Sequence, residues 1–386
     1  VEVSSVFVPA LVVGFGWSRT LIASATTLGS VASALLGPLI GRVLDRHGPR
    51  LMVPAGTLVV GVGCLTLART SSIAVFVVVY ALVRMASQSM VQFAATVTVA
   101  RWFGRRRGAA TALLFGISAS GLVIAPPVVQ VIIARGGVEP AWTALGMLAL
   151  LLGVAPAALL LARGPEDLGV LPDAETPARR SMAAPKPGSD DRMEGYSLGE
   201  ATTGPTLWLI VGATFSVSLV MTGVGFHQLA YYVERGISPF GAALVVSSFA
   251  LGLTVGGVLW SWLADRLDAR WLLTGVSVAA ALSLGLLLAV RGPEQAFPFG
   301  FAFGMLVGGS MSLPTLLLAG YYGRGSLGVI AGVLHMARGF GLGLGPLVTG
   351  VFYDVSGRYE PAFQTFIAVC IGSALLMAFA RRPARR

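Results

Sequence analysis

Two arginines sit where the surrounding sequence offers a charge almost nothing. Arg84 lies about 12 residues into the apolar run 73–100, and Arg338 about 12 residues into the run 327–353. At 1.5 Å per helical residue each is roughly 18 Å from the end of its run, which is the middle of a bilayer. A guanidinium does not shed its proton, so at that depth it must face a wet cavity, an acid or an anionic ligand rather than hydrocarbon. Its planar fork matches a carboxylate with two parallel hydrogen bonds, and exclusion of water strengthens the match. His335 precedes Arg338 by one turn and projects from the same helical face. This pair is the expected contact for an anionic solute; the alternative is a structural pairing of Arg338 with a helix-end or loop carboxylate.

Beside Arg84, Gln88 and Gln92 follow at i+4 and i+8 and extend a polar stripe along one face. Glu2 is the only carboxylate placed at comparable depth and is the expected partner of Arg84. Protonating it would free the arginine and change which helix arrangement is preferred, as proton coupling requires. An interfacial position is the other reading of Glu2, since an acid near a helix start is ordinary. His227 has Tyr231 at i+4, with Gln228 and Tyr232 beside them. The four offer a rim of hydrogen-bonding groups toward the outer side of such a cavity. His227 is either a proton relay near neutral pH or a group bonded to a neighbouring helix.

Helices that cross lipid must position these side chains, and the composition calls for them. Of 386 residues 55% are hydrophobic and 11% charged, where soluble domains carry roughly 25% charge. With a mean hydropathy of +0.81, the surface of a water-soluble globule would be a continuous apolar patch prone to aggregation. Twelve apolar runs follow one another, at 1–13, 20–41, 51–68, 73–100, 108–134 and 141–162, then at 206–233, 239–264, 271–290, 296–322, 327–353 and 362–380. The first is short and begins at Val1, so the natural start is expected further upstream. Residues 163–202 are rich in Pro, Asp and Glu, hold no run long enough to span, and read as a mobile linker. The expected organisation is a six-helix bundle at 1–162, a cytoplasmic linker at 163–202 and a second six-helix bundle at 203–386.

With both termini inside, nineteen Lys and Arg fall in the cytoplasm and six outside (Arg19, Arg69, Arg135, Arg235, Arg291 and Arg358). That bias sets a multi-pass orientation. It also explains the net charge of +10 without a nucleic-acid partner, because the charges lie in short loops and form no extended basic face. Cys64 and Cys370 lie far apart in apolar runs, so neither a disulfide nor a thiolate metal site is expected. Three scattered histidines make no metal set, and no nucleophile elbow or phosphate loop occurs, so neither a cofactor nor enzymatic chemistry is expected. Gly341, Gly343 and Gly345 lie within an apolar run with no preceding strand and read as close helix packing, as do Gly252 and Gly256. Ser310, Ser312 and Pro314, with Pro126, Pro127 and Pro346 elsewhere, are expected to break their helices and free carbonyls for the path.

The halves repeat. Asp45, Arg46 and Arg50 recur 220 residues later as Asp265, Arg266 and Arg270, each set between the second and third run of its half. Trp102-Phe103-Gly104-Arg105 pairs with Tyr321-Tyr322-Gly323-Arg324, and Pro127 with Pro346. Parallel repeats of this kind place a solute site near mid-membrane. Carboxylates at the cytoplasmic helix ends can pair with arginines and helix-end NH groups and latch one state. These six residues are therefore gating candidates, with a purely topological role as the alternative.

The loop Gly41-Arg42-Val43-Leu44-Asp45-Arg46-His47-Gly48-Pro49-Arg50 resembles the G-x-x-x-D-R-x-G-R signature of the major facilitator superfamily. Phe15-Gly16-Trp17-Ser18-Arg19, Arg101 to Gly108 and Gly345 to Asp354 are similar to segments of its monocarboxylate transporter and oxalate/formate antiporter branch. The resemblance implies an all-α membrane protein of twelve transmembrane helices in two pseudo-symmetric bundles, with the cavity lined by the first and fourth helices of each half. It implies gating by Asp45 and Asp265 and a basic residue at Arg338, and it likens Glu2 with Arg84 to the proton-coupling pairs of several facilitator symporters. Gly257 stands where monocarboxylate transporters usually carry an arginine, and Glu2 where the eukaryotic members carry a lysine.

The expected function is secondary active transport of a small organic anion, a mono- or dicarboxylate, by proton-coupled alternating access, in a bacterial inner membrane. The alternative is a proton-driven exporter of drugs or of neutral or cationic metabolites, which predicts more cavity acids than Glu2. A receptor or scaffold would show larger extramembrane domains than the 163–202 linker.

Overall fold

A computed structural model describes residues 2–102, 107–161, 196, 198–322 and 327–383 of the chain. Among them the backbone is helical, joined by short turns. The helices are α1 (Glu2–Phe15), α2 (Arg19–His47), α3 (Pro49–Arg69) and α4 (Ile73–Met85), which runs through a π-helical stretch (Ala86–Gln92) into α5 (Phe93–Trp102). Next come α6 (Arg107–Gly136) and α7 (Val138–Ala149), the latter continuing through a second π stretch (Leu150–Val154) into α8 (Ala155–Leu160). After the short α9 (Leu198–Thr203) follow α10 (Pro205–Glu234), α11 (Pro239–Ala264), α12 (Ala269–Ala289), α13 (Pro293–Tyr322), α14 (Leu327–Ser356) and α15 (Glu360–Phe379). Among the described residues ten helical stretches are long and apolar enough to cross a membrane, and Ser5–Phe15 is a shorter apolar helix. All of these helices fall on the predicted apolar runs, as does α14.

Local signals account for the helix ends. Proline opens α3, α10, α11 and α13, where its missing NH would be unpaired anyway. Ser238 accepts from the Gly241 amide at the start of α11, and Asp268 from the Arg270 amide at the start of α12. Gly16 and Gly357 turn the chain with φ of 68° and 71°, a left-handed conformation that a side chain would resist.

The chain divides into two compact units. One comprises Val1–Thr27, Gly121–Arg135 and Arg192–Arg386. Its core is built on backbone contact between helices. Gly252 and Gly256 of α11 lie against the Phe301 and Met305 backbone of α13, and Gly341 and Gly345 of α14 against the Phe215 and Leu219 carbonyls of α10. Small residues let helices approach this closely where lipid removes the hydrophobic drive for association. Of the glycines read from sequence as packing positions, Gly252, Gly256, Gly341 and Gly345 are so placed.

The second unit comprises Leu28–Ser120 and Gly136–Asp191. Here Gly61 and Gly146 bring α3 and α7 together, and Gly29 brings α2 against Ala81 and Arg84 of α4.

The expected proline breaks are not found. The α6, α13 and α14 helices run continuously through Pro126, Pro127, Pro314 and Pro346. A proline removes one intrahelical bond, and neighbouring helices can hold the rest of the ladder in register. The irregular backbone lies at the two π stretches instead, and the first of them begins two residues after Arg84.

Candidate functional site

In the first unit, α14 carries His335 and Arg338 one turn apart. His335 is exposed and Arg338 half-buried. The Arg338 Nη1 donates to the Met311 carbonyl of α13 at 3.4 Å, and no carboxylate within ion-pair distance of it is found among the described residues. One long bond to a neutral oxygen leaves most of the fork's five donors unused, which suits it to a ligand with paired oxygens.

His227 and Tyr231 are in the same unit but not at a cavity rim. Both are essentially fully buried. The Pro346 carbonyl can only accept, so the His227 Nε2 donates to it at 3.0 Å, and Nδ1 then accepts the Tyr359 hydroxyl at 3.2 Å. The Tyr231 hydroxyl donates to the Leu287 carbonyl at 3.0 Å, and its ring packs edge-on against Phe363. Both side chains therefore belong to the packing of α10 against its neighbours. The i+4 spacing placed them correctly on one face, but that face points into helices.

Above His227 the described residues hold a charged cluster that sequence reasoning did not assemble. Arg19, at the start of α2, has a side chain only 11% exposed. Its Nη2 pairs with Glu234 Oε1 at 2.6 Å, its Nη1 donates to the Tyr359 hydroxyl, and its guanidinium lies 3.7 Å from the Tyr353 ring centroid. The Tyr353 hydroxyl donates to the same Glu234 oxygen at 2.8 Å. Asp354 accepts the Arg19 amide at 3.2 Å and the Thr20 amide at 3.0 Å. A chain of donors thus runs from Arg19 through Tyr359 and His227 to the Pro346 carbonyl of α14, the helix that bears Arg338. Next to it Arg235 pairs with Glu360 at 2.7 Å. The signal was present in the two family-like segments, because Arg19 ends one and Asp354 ends the other. What sequence cannot give is that they meet across 335 positions.

In the second unit Arg84 reaches Ser30 of α2, its Nε donating to the hydroxyl at 3.5 Å. A Cβ at Gly29 would strike the Ala81 carbonyl and the Arg84 side chain, so this glycine lets the two helices close beside the arginine. Ser33 and Ser89 join their hydroxyls one turn further along. Gln88 is half-buried and Gln92 exposed. Both fall in the π-helical stretch, whose wider turn changes the angle between positions i and i+4 from that of an α-helix. The side chain of Glu2 lies outside the described residues, as does that of Asp45.

Of the other gating candidates, Arg46, Arg50, Asp265 and Arg266 are exposed at helix ends, and Arg270 is half-buried. Arg266 lies over the Trp262 ring at 3.8 Å, and Arg270 over Trp271 at 4.5 Å. Among the described residues these arginines rest on tryptophans rather than on Asp265. Three or more groups able to hold a metal do not cluster among the described residues.

The family model described as Major Facilitator Superfamily matches residues 2–236 and 208–386. The chain is 27% identical to monocarboxylate transporter 11 of Mus musculus, with 97% of this chain and 82% of the mouse protein covered. It is 26% identical to an MFS-type transporter of Gibberella moniliformis, with 88% and 77% covered. Among solved structures, a bacterial homolog of the human lysosomal transporter Spinster, crystallised inward-facing and unoccupied, superposes with a TM-score of 0.65 at 15% identity, covering 98% of this chain and 91% of that one.

Proposed function

The chain belongs to the Major Facilitator Superfamily, and from that premise we propose that this multi-pass membrane transporter carries a small organic anion, a mono- or dicarboxylate, by proton-coupled alternating access between bundles 1–162 and 203–386. The observation that carries the reading is Arg338. It is a permanent cation within a long apolar helix, held by one 3.4 Å bond to a carbonyl and beside the exposed His335. Such a charge is expensive in lipid unless a function requires it. Arg84 and Gln88 supply a second polar group on the opposite half of the sequence, with Ser30 as its fixed neighbour. The likeness to a monocarboxylate transporter at 27% identity supports the same solute class. Glu2 is assigned to proton coupling with Arg84, and Asp45, Arg46, Arg50, Asp265, Arg266 and Arg270 to gating. The buried His227 and Tyr231 are withdrawn from solute contact. Both termini are assigned to the cytoplasm of a bacterial inner membrane.

The test is a proteoliposome screen of labelled carboxylates, neutral compounds and cations, with and without an imposed pH gradient. Saturable carboxylate uptake accelerated by inward protons is the expected result, and it should be lost in folded Arg338→Ala. Uptake of cations only, or export of neutral compounds driven by proton antiport, would replace this reading with the exporter.

A further inference from the structure

The cluster around Arg19 holds chemistry that solute binding does not use. Glu234 is the last residue of α10, at the negative end of the helix dipole, where a carboxylate is disfavoured. Two donors compensate it, the Arg19 guanidinium at 2.6 Å and the Tyr353 hydroxyl at 2.8 Å, both on Oε1. Its side chain is 34% exposed whereas that of Arg19 is 11% exposed. Water therefore reaches the acid while the cation is enclosed.

We propose that Glu234 is a proton-binding site whose occupancy frees the Arg19 side chain from α10 and leaves the start of α2 held through its backbone by Asp354, a weaker tie than the two together. The step is a simple protonation: a proton from the bulk water on that side converts the carboxylate to the acid, and the Arg19–Glu234 ion pair is the interaction lost. Linkage runs both ways, so whatever withdraws Arg19 also favours the proton on Glu234. The groups around Glu234 fit this role. From α2 comes Arg19, from α14 Tyr353 and Asp354, and from the turn before α15 Tyr359. From its own helix come His227, whose two ring nitrogens are already engaged, and Tyr231. Arg235 is committed to Glu360 and does not replace Arg19. Asp354 adds a second negative charge nearby but spends its oxygens on the amides of Arg19 and Thr20, so it holds the α2 backbone rather than the Arg19 side chain. The enclosed guanidinium has one carboxylate partner among the described residues, and removing that charge leaves it to aromatic rings and a hydroxyl. A cation so enclosed is strongly destabilised when its partner is neutralised.

This inference rests on the alternating-access reading, and its test uses no solute. Nitroxide labels are attached in liposomes at Gly14→Cys and Arg358→Cys, both exposed sites, while Cys64 and Cys370 are buried. Acidification from about pH 7.5 to about pH 4, into the ordinary glutamate range, is expected to raise the longer-distance population about threefold. Glu234→Gln should show that population at both pH values with no response, and Glu360→Gln should respond as the unsubstituted protein does. Tyr353→Phe removes one donor to the ionised carboxylate and should move the transition to higher pH. A pH-insensitive distance in the unsubstituted protein, the same response in Glu234→Gln, or an unmoved midpoint in Tyr353→Phe would overturn the proposal; the last decides the matter if Glu234→Gln does not fold. Labels that respond in vesicles that transport no carboxylate would leave the proton site standing and remove the anion reading. Carboxylate uptake with unresponsive labels would do the reverse.

Discussion

Asp354 holds the first turn of the helix that begins at Arg19. One carboxylate oxygen accepts the Arg19 amide at 3.2 Å and the other the Thr20 amide at 3.0 Å. A carboxylate at a helix N-terminus satisfies donors that have no partner within the helix and meets the positive end of its dipole. Here that cap is supplied from a residue 335 positions away, so the turn Gly16–Ser18 and the end of α14 are held together by a backbone contact that depends little on the conformation of the Arg19 side chain.

The cap makes stability depend on pH with a definite sign. Asp354 follows the apolar run 327–353. Burial pushes its carboxyl up from the ordinary value of 3.8, but hydrogen bonds from the Thr20 hydroxyl and amide, the Ser18 hydroxyl and the Arg19 amide outweigh it, and the folded value is lowered. A lowered value means that the stabilisation is complete above the unfolded pKa and is lost as pH falls through the folded one. Thermal melting in detergent should therefore weaken below about pH 4, and Asp354→Asn should flatten that slope. Loss of the cap in Asp354→Ala should cost about 1 kcal/mol at neutral pH.

His227 is expected to be neutral with its proton on Nε2, because the Pro346 carbonyl can only accept. Nitrogen NMR of the labelled imidazole should show that tautomer. His227→Leu leaves the Pro346 carbonyl and the Tyr359 hydroxyl without this partner and should destabilise the fold by about 3 kcal/mol. An equally stable His227→Leu would mean that the ring is not a fixed link between α10 and α14.

Adjacent glycines on α11 provide an internal control for close packing. A Cβ at Gly256 would run into the Met305 backbone, whereas one at Gly257 meets nothing within 4 Å. Gly256→Ala should lower stability by about 1–3 kcal/mol, while Gly257→Ala should be neutral or slightly stabilising. Melting temperatures of the two purified variants check the contrast.

Arg338→Lys keeps the charge but loses the planar fork. If Arg338 grips a carboxylate with two parallel bonds, the lysine variant should raise the KM for uptake by about tenfold or more while retaining transport, and Arg338→Ala should abolish saturable uptake. Equal KM values in the unsubstituted and lysine proteins would point to a role for bare charge alone. His335→Ala should have the smaller effect on KM, since its ring is exposed beside the arginine.

Helix positions were legible because lipid imposes a one-dimensional rule: a spanning segment must be long, apolar and internally hydrogen-bonded. The periodic recurrence of Asp265, Arg266 and Arg270 after Asp45, Arg46 and Arg50 is likewise a statement about order along the chain. Arg84 and Arg338 stood out because a permanent charge in an apolar run is unusual whatever surrounds it. The π-helical turn that carries Gln88 and Gln92 was not legible, since nothing in the residues 86–92 marks it.

The sequence by itself determined which segments are helical, which of them suit a membrane, and which charges demand an explanation, because composition and spacing act within a single helix. Only the tertiary structure decided that His227 and Tyr231 look into protein, that Gly29 makes room beside Arg84, and that Arg19 is seated among Glu234, Tyr353 and Tyr359 with its amide on Asp354. These depend on which helix faces lie against one another. Facing is set by three-dimensional packing of small residues and by pairings hundreds of positions apart, about which a single helix carries no information.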